Sequence, residues 1–312
     1  MGSPRALRRL RAFAHVNAAV VAVAAIAHEL GAQAQVHALK EGLGGIDTAD
    51  WMRLYLSAAI KTAAFLVIIT ASAARRPKIL GEKRTKEPQP QDTAKLVVLA
   101  LTTGLFEAVE LAYVARFLDL DAPTWSIAEM WNKFGIADAL TLVQQLPTMW
   151  LVFVIKSFAF EILFDFFHYW GHRIAHEIPR LYRFHRSHHK YLHPTPLATY
   201  QQHPFDIVFT NLLPNVAAVV LLRTFLGIQL NSFEYSLLMS YKVFVEIAGH
   251  AGIETTATSF PQCAPLPEAL GIELHTDDHD LHHSFPGMAC NYAKRFTLWD
   301  RVFGTYKVHK SQ

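Results

Sequence analysis

Residues 165–189 read DFFHYWGHRIAHEIPRLYRFHRSHH, and residues 275–283 read HTDDHDLHH. These two stretches hold three groups of histidines, with the spacings H-x-x-x-H, H-x-x-H-H and H-x-x-H-H. Side chains three or four residues apart lie on the same face of a helix, and neutral imidazole is a common ligand of transition metals. We therefore expect each group to present one helical face of histidines to a metal site.

The number of histidines indicates more than one metal ion. The chain has 17 histidines but only two cysteines, whereas one structural zinc ion takes four ligands and often uses thiolates. A set of imidazoles suits iron, zinc, copper or nickel, so the ligand type alone does not identify the metal. The sequence predicts two metal ions held by histidine.

The rest of the chain is apolar enough for a membrane protein. Hydrophobic residues make up 52% of the sequence, and a helix needs about 20 apolar residues to cross a bilayer. The candidate spans are residues 13–36, 51–74, 96–118, 137–164, 205–228 and 233–247. The last two are expected to form a hairpin, because Pro214 interrupts the first of them and Asn231 and Ser232 separate the pair. The predicted fold is an all-α, polytopic membrane bundle of about four long spans plus this hairpin, with a histidine-rich helical cap.

The first span also fits a second interpretation. Arginines at positions 5, 8, 9 and 11 precede the apolar run VNAAVVAVAAIA, a pattern that also occurs in secretory signals. At this point the span and the signal are both open.

Lysine and arginine positions predict the orientation. Basic clusters at residues 5–11 and 75–86 flank the first two spans on one side, which should be cytoplasmic. The loop after the third span is acidic, and the basic stretch 173–190 returns to the first side. We therefore expect all the histidine groups on the cytoplasmic face, beside a basic loop at residues 75–95.

Charge and thiol content exclude two other classes of protein. The net charge of +3 is small and its basic residues sit where the topology places them, so nucleic-acid binding is not expected. Two cysteines do not make a disulfide framework. Glu107 and Glu110 fall inside the third span, where a carboxylate marks either a substrate site or an interhelical hydrogen bond.

Several motifs together resemble the fatty acid hydroxylase superfamily. They are the stretch 165–189, the pair His203–Pro204, GHAG around His250, the stretch 275–283 and NYAKRFTLWDRVFGTY at 291–306. This superfamily includes sterol desaturases, sterol C4-methyl oxidases, cholesterol 25-hydroxylase-like enzymes and alkylglycerol monooxygenase. The resemblance covers about residues 151–306, and divides the chain into N-terminal membrane helices (1–136) and a catalytic domain (137–312).

The resemblance implies a membrane enzyme with two iron ions that uses O2 and two electrons to hydroxylate an unactivated C–H bond of a lipid. Zinc can replace iron in such a protein during purification. The implied metal ligands are His172, His176, His185, His188, His189, His203, His250, His275, His279, His282 and His283. His168 is expected to be structural, and His193 to be a surface loop residue.

Carboxylates beside the histidines are candidates for hydrogen-bond acceptors that orient the imidazoles. Asp165, Asp277, Asp278 and Asp280 are in this position, although helix capping or solvation would also explain them. Some relatives carry a histidine four residues after the position of His250, where this chain has Glu254. We expect Glu254 to accept a hydrogen bond near the metals or to be a helix-end charge.

A lipid enzyme of this kind needs partners. The substrate is expected to be a sterol or a long acyl or alkyl chain that enters from the membrane. The sequence has no flavin, heme or C-x-x-C motif, so a separate carrier should supply electrons. The resemblance implies cytochrome b5 with its reductase in the endoplasmic reticulum of a eukaryote, or a ferredoxin at the inner membrane of a bacterium. Arg301 and Lys307 are candidates for contact with an acidic carrier.

Two alternatives remain open from the sequence. The same metal centre can remove two hydrogens, which would make the protein a desaturase. A histidine-rich membrane protein can also store or transport zinc without catalysis.

Overall fold

The computed structural model describes residues 4–79, 90–118, 136–253, 259–284 and 290–308. Within these ranges the secondary structure is helical apart from one isolated bridge between Lys78 and Ile253. The four longest helices are α1 (Pro4–Glu41), α2 (Thr48–Ala73), α3 (Pro90–Val114) and α4 (Ile136–Glu177). The shorter helices are α5 (Pro179–His185), α6 (Pro204–Ile207), α7 (Leu213–Thr224), α8 (Ser232–Gly249), α9 (Pro265–Ala269), α10 (Thr276–Ser284) and α11 (Leu298–Val302). The predicted all-α fold is confirmed.

Four helical stretches are long and apolar enough to cross a membrane. They are Leu10–Glu41, Thr48–Ala73, Asp92–Phe117 and Pro204–Thr224. Their outer faces carry exposed apolar side chains, such as Val67 and Val98, which suit contact with lipid. The spans predicted at 137–164 and 233–247 lie within α4 and α8, and neither helix is among these four.

Helix α1 belongs to the folded bundle, packed between α2 and α8. Val20, Ala24 and Ala34 of α1 are fully buried in the same core as Leu54 and Phe65 of α2. The hydroxyl of Ser57 donates to the carbonyl oxygen of Ala27 at 2.6 Å, which ties α2 to α1. The small residues on α1 allow this close approach, as they do between helices in membranes.

The two glutamates of the third span make interhelical bonds. Glu107 pairs with Lys61 of α2. Glu110 accepts hydrogen bonds from the amide of Asn215 at 2.9 Å and from the hydroxyl of Tyr235 at 2.7 Å. Of the two interpretations of these carboxylates, the structure favours helix-to-helix bonding, because buried polar groups in an apolar bundle must find partners there.

The predicted hairpin differs in detail at Pro214. A helix runs from Pro204 to Thr224 and contains a π-helical turn, Val208–Leu212, immediately before α7. Pro214 lies in the first turn of α7, where the missing N–H of proline does little harm. The helix continues through Pro214, which closely follows the π-helical turn, so Pro214 does not interrupt the helix as the sequence suggested. A capping box between Asn231 and Glu234 then starts α8.

A glycine lets α4 approach this π-helical turn. A Cβ atom built on Gly171 would lie 3.1 Å from the carbonyl oxygen of Phe209. Any larger side chain would push α4 away from the turn. Gly171 therefore sets the position of the end of α4, which carries the first histidines of the metal centre.

Candidate metal centre

Nine histidines converge in two adjacent clusters. The first histidine cluster consists of His172, His176, His185, His189 and His282, and the second of His188, His250, His279 and His283. Within each cluster, one ring nitrogen of every member lies within 4.8 Å of those of the others. Eight of the nine residues are buried, and His176 is partly exposed. Each cluster can hold one metal ion.

Helix ends bring these residues together. The last turns of α4 supply His172 and His176, which are four residues apart and contact each other through their rings. His185 is the last residue of α5, and His250 caps the end of α8. The remaining members come from a 3-10 turn, His188–Lys190, and from α10.

The prediction that each H-x-x-H-H group presents its histidines on one helical face is wrong. In the first of them α5 ends at His185, so the chain turns before His188 and His189. As a result His189 joins the first cluster and His188 the second. The group in α10 is divided in the same way, because His282 points to the first cluster while His279 and His283 point to the second. Each group therefore links the two clusters.

The Nε2 atoms approach one another closely. In the first cluster Nε2 of His185 lies 3.1 Å from Nε2 of His172 and 3.0 Å from Nε2 of His189. In the second, Nε2 of His250 lies 3.2 Å from that of His188 and 3.0 Å from that of His279. The rings of neighbouring members stand edge to face, so their nitrogens point to a common centre.

The opposite ring nitrogens donate to fixed acceptors. Nδ1 of His172 donates to the carbonyl oxygen of Tyr292 at 2.8 Å, and Nδ1 of His282 donates to that of Cys290 at 2.7 Å. Nδ1 of His250 donates to the carbonyl oxygen of Glu246 at 2.7 Å. Nδ1 of His185 donates to the carboxylate of Asp206 at 2.9 Å. A proton on Nδ1 leaves the lone pair on Nε2, which is the tautomer that a metal ligand needs.

The positions of the Nε2 lone pairs show that a metal ion fits between the histidines. His172 and His185 both carry their proton on Nδ1, so two Nε2 lone pairs face each other at 3.1 Å. Two lone pairs at this distance repel each other unless a cation lies between them. In addition, Nε2 of His282 is buried without any hydrogen-bond partner. A metal ion would remove both penalties, so the residues fit the expected metals.

Burial keeps the imidazoles neutral. It lowers the pKa of His250 to about 4 and that of His282 to about 3. The pKa of His172, His189 and His279 is also lowered well below its ordinary value, first by burial and then by the neighbouring histidines. Neutral imidazoles bind metals, whereas protonated ones do not.

The first cluster offers more ligands than a tetrahedral metal site needs. It has five histidines, one more than a tetrahedral zinc site uses, whereas the second has four.

Two of the eleven predicted ligands are not brought to either cluster. His203 is exposed, and its Nδ1 accepts the backbone N–H of Phe205 at the start of α6. His275 pairs with Glu273 at 3.3 Å. Each of these two histidines makes a local contact, His203 at the start of α6 and His275 in the loop before α10.

The other two histidines of this region have structural contacts. His168 donates from Nδ1 to the carbonyl oxygen of Thr210 at 2.6 Å and is in neither cluster. His193 is buried and lies 3.0 Å from the carboxylate of Asp280. The prediction of a surface position for His193 is therefore wrong, because the imidazole is buried in contact with the carboxylate of Asp280.

Three of the predicted carboxylates contact the backbone or His193. Asp165 accepts three backbone N–H groups from residues 294–296. Asp278 accepts the backbone N–H of His275, and Asp277 is exposed. Asp280 lies 3.0 Å from His193. Glu254 lies outside the described residues.

Sequence patterns did not predict a role for Asp206. This residue is buried and supports His185, yet it follows His185 by 21 positions. The signal for it in the sequence is its place two residues after Pro204, in the first turn of a helix. Spacing from the nearest histidine group could not reveal a contact made by the fold.

A cavity of about 1100 Å³ reaches the second cluster. It lies among the N-terminal part of α1, the C-terminal part of α2, the C-terminal part of α8 and residues 259–276. Much of its wall is apolar, including Phe13, Val16, Ile69 and Phe244. His279 of the second cluster lines the same cavity. An apolar molecule in this cavity would therefore touch a candidate metal site.

Known proteins match the part of the chain that builds this centre. Residues 157–305 match the family model described as fatty acid hydroxylase. The chain is 35% identical over 161 residues to "Fatty acid hydroxylase vlmA" of Lecanicillium, an alignment that covers 50% of this chain and 43% of the relative. It is 28% identical to "C-4 methylsterol oxidase erg25" of Schizosaccharomyces pombe, over 64% of this chain and 61% of the relative.

A third relative aligns over more of the chain. It is "Cholesterol 25-hydroxylase-like protein 1, member 2" of Danio rerio, 26% identical over 82% of this chain and 88% of the relative. By contrast, the chain spans about half the length of the first two relatives. No solved structure gives a significant match. Residues 157–305, which contain all nine clustered histidines, are therefore identified as a fatty acid hydroxylase domain.

Proposed function

We propose that this protein is a membrane-bound di-iron oxygenase that hydroxylates an unactivated C–H bond of a lipid. The overall reaction consumes O2, two electrons and two protons, and yields the alcohol and water. The lipid is a sterol or a long acyl or alkyl chain. The nine clustered histidines are the proposed metal ligands, and Asp206 orients one of them.

One observation carries this proposal. A largely apolar cavity reaches the second of the two adjacent histidine clusters at His279. A zinc store would not need a large apolar cavity beside its ligands, and a lipid-binding protein would not need two metal sites. An enzyme that oxidises a lipid needs both.

Iron bound in the two clusters would supply the oxidising power, and the chain's own residues would control access to it. Eight of the nine ligands are buried, so little water reaches the centre. The carbonyl oxygens of Tyr292, Cys290 and Glu246 hold three of the rings in place. The imidazoles resist oxidation better than thiolates would, which suits work with O2.

The names of the relatives support the substrate class. They describe a fatty acid hydroxylase, a methylsterol oxidase and a hydroxylase-like protein. All three names refer to oxidation of a lipid or a sterol, and we extend that class to this chain.

Orientation and electron supply follow from the same proposal. The clusters lie at the ends of α4 and α8, and we propose that this end faces the cytoplasm. A separate carrier, either cytochrome b5 with its reductase or a ferredoxin, would deliver the electrons there. The exposed side chains of Arg301 and Lys307 suit an acidic carrier surface.

The test combines metal analysis with lipid analysis. The protein is purified in detergent from iron-supplemented cells, its metals are counted, and the lipids of cells grown under ¹⁸O2 are compared by mass spectrometry. We expect near two irons per chain and a lipid that gains one ¹⁸O atom. The His188→Ala variant should lose this product, and the matched His203→Ala variant should keep it because His203 is in neither cluster.

Other outcomes identify the alternatives. A product lighter by two hydrogens, without ¹⁸O, would show a desaturase. Reversible zinc binding with zinc flux into vesicles and no change in any lipid would show a zinc-handling protein.

A further inference from the structure

The cavity beside the second cluster is not uniform along its length. Helices α1 and α2 are antiparallel, since His37 contacts Asp50 and Ala27 accepts from Ser57. Helix α8 also runs opposite to α1, because His28 lies 3.3 Å from Ser236 and Asn17 accepts from the hydroxyl of Tyr241. The start of α1 therefore lies level with the ends of α2 and α8. His250 of the second cluster lies at this end of α8.

Several polar side chains of the cavity lie at this metal end. Ser72 and Arg76 are in the last turn of α2 and just after it. Lys294 forms a 2.6 Å ion pair with Glu246, the residue whose carbonyl oxygen holds His250. Thr276 begins α10 three positions before His279, and His275 directly precedes it.

The other end of the cavity is mostly apolar. Val16 and Ala19 of α1, Ile68 and Ile69 of α2, and Phe244 and Val245 of α8 line it, and His15 is a polar side chain next to Val16. Leu10 and Ala19 are nine residues apart on one helix, which places these ends about 13 Å from each other. A polar group placed at the apolar end would lose its hydrogen bonds to water without finding new ones there.

We propose that the substrate is an amphiphile that binds head first, with its polar group beside His279 and its apolar part between α1, α2 and α8. The oxidised carbon then lies within a few bonds of the polar group and not at the far end of the chain or side chain. This inference rests on the proposed oxygenase function for its chemistry, but the binding orientation depends only on the cavity.

The first experiment measures binding to the metal-free protein in detergent. Hexadecan-1-ol is compared with hexadecane, and cholestanol with cholestane, so that each pair differs only in the hydroxyl group. We expect at least one alcohol to bind at least tenfold more tightly than its parent hydrocarbon. Equal binding within both pairs, or no binding of either alcohol, would overturn the proposal.

The second experiment locates the oxygen in the product. The iron-loaded protein receives O2, a chemical reductant and either dodecan-1-ol or hexadecan-1-ol, and fragmentation mass spectra give the position of the new hydroxyl. Head-first binding places it at the same carbon counted from the head in both alcohols. A position that is constant when counted from the methyl end would overturn the proposal.

Two variants of α1 provide the matched control. Ala19 lines the apolar end, whereas its neighbour Ala18 is exposed. Ala19→Phe should weaken the binding of hexadecan-1-ol at least fivefold more than that of octan-1-ol, whose chain is too short to reach Ala19, and Ala18→Phe should change neither. An equal effect of the two variants would contradict the assigned apolar end. If the alcohols bind as expected and no oxygenated product forms from any of them, the oxygenase function fails while the binding orientation stands.

Discussion

The carboxylate of Asp206 lies 2.9 Å and 3.0 Å from Nδ1 of His185, and both residues are buried. This contact fixes the ring so that Nε2 faces the other members of the first cluster. Carboxylates in this role raise the basicity of the ligand as well as orient it. Asp206 is therefore a support of the first cluster and not of the second.

Asp206→Leu should weaken metal binding at the first cluster by about 10- to 100-fold. Asp206→Asn keeps an oxygen that accepts the Nδ1 proton, so its loss should be smaller. Metal titration of the purified protein measures both effects. Asp277→Asn, at an exposed position of α10, serves as the control and should bind metal normally. An unchanged affinity in Asp206→Leu would show that His185 needs no such partner.

The two clusters should lose metal separately. The double variant His172→Ala, His176→Ala removes two of the five members of the first cluster, and His279→Ala removes one of the four members of the second, so three histidines remain in the altered cluster in each case. We expect each variant to retain about one metal ion per chain and to lose lipid oxidation, because both ions are needed for the proposed chemistry. Metal analysis by mass spectrometry and product analysis provide the readout. Two ions in either purified variant would argue against the assignment of the altered histidines.

The loop that follows the last histidine group depends on Asp165. Its two oxygens accept the backbone N–H groups of Lys294, Arg295 and Phe296, all in the interior. Asp165→Ala leaves these donors without partners, each at a cost of roughly 1–3 kcal/mol unless water enters. We expect a loss of at least about 2 kcal/mol in unfolding free energy, measured by denaturation in detergent.

The control for the Asp165 variants is Asp277→Ala. Asp277 is exposed on α10, so this substitution should alter the unfolding free energy by less than about 0.5 kcal/mol. Asp165→Asn should fall between the two, since one oxygen remains. Equal stability of Asp165→Ala and Asp277→Ala would mean that the loop finds other partners.

The metal-free protein should lose stability in mild acid. Burial lowers the pKa of His250 from its ordinary 6.5 to about 4, so the folded chain binds fewer protons than the unfolded chain between these values. Stability is therefore fully present above about pH 6.5 and falls as the pH drops to about 4, by on the order of 3 kcal/mol for this group alone. The melting temperature in detergent, measured from pH 7 to pH 4, tests this.

His250→Gln supplies the matched comparison for the acid effect. Glutamine does not titrate, so the variant should lose less stability than the parent over the same pH range. Parallel melting curves for the two proteins would rule out His250 as a source of the effect.

Sequence patterns were sufficient to predict the long helices of this protein and two of its histidine pairs. Apolar runs predicted the long helices α1, α2 and α3, because a helix that faces lipid must satisfy its own backbone and present apolar side chains. The histidine spacing at 172 and 176, and at 279 and 283, identified pairs that do share a cluster, since residues four apart on a helix face the same way.

Only the tertiary structure decided which histidines meet. His203 and His275 have the same chemistry as the cluster members, but local contacts at a helix start and with Glu273 hold them elsewhere. His188 and His189 are neighbours in sequence and enter different clusters, because the chain turns after His185. Asp206 and His185 come from separate helices, and the packing that joins them has no periodicity along the chain. Local patterns determine what lies on one helix, whereas contacts between helix ends depend on how the whole bundle packs.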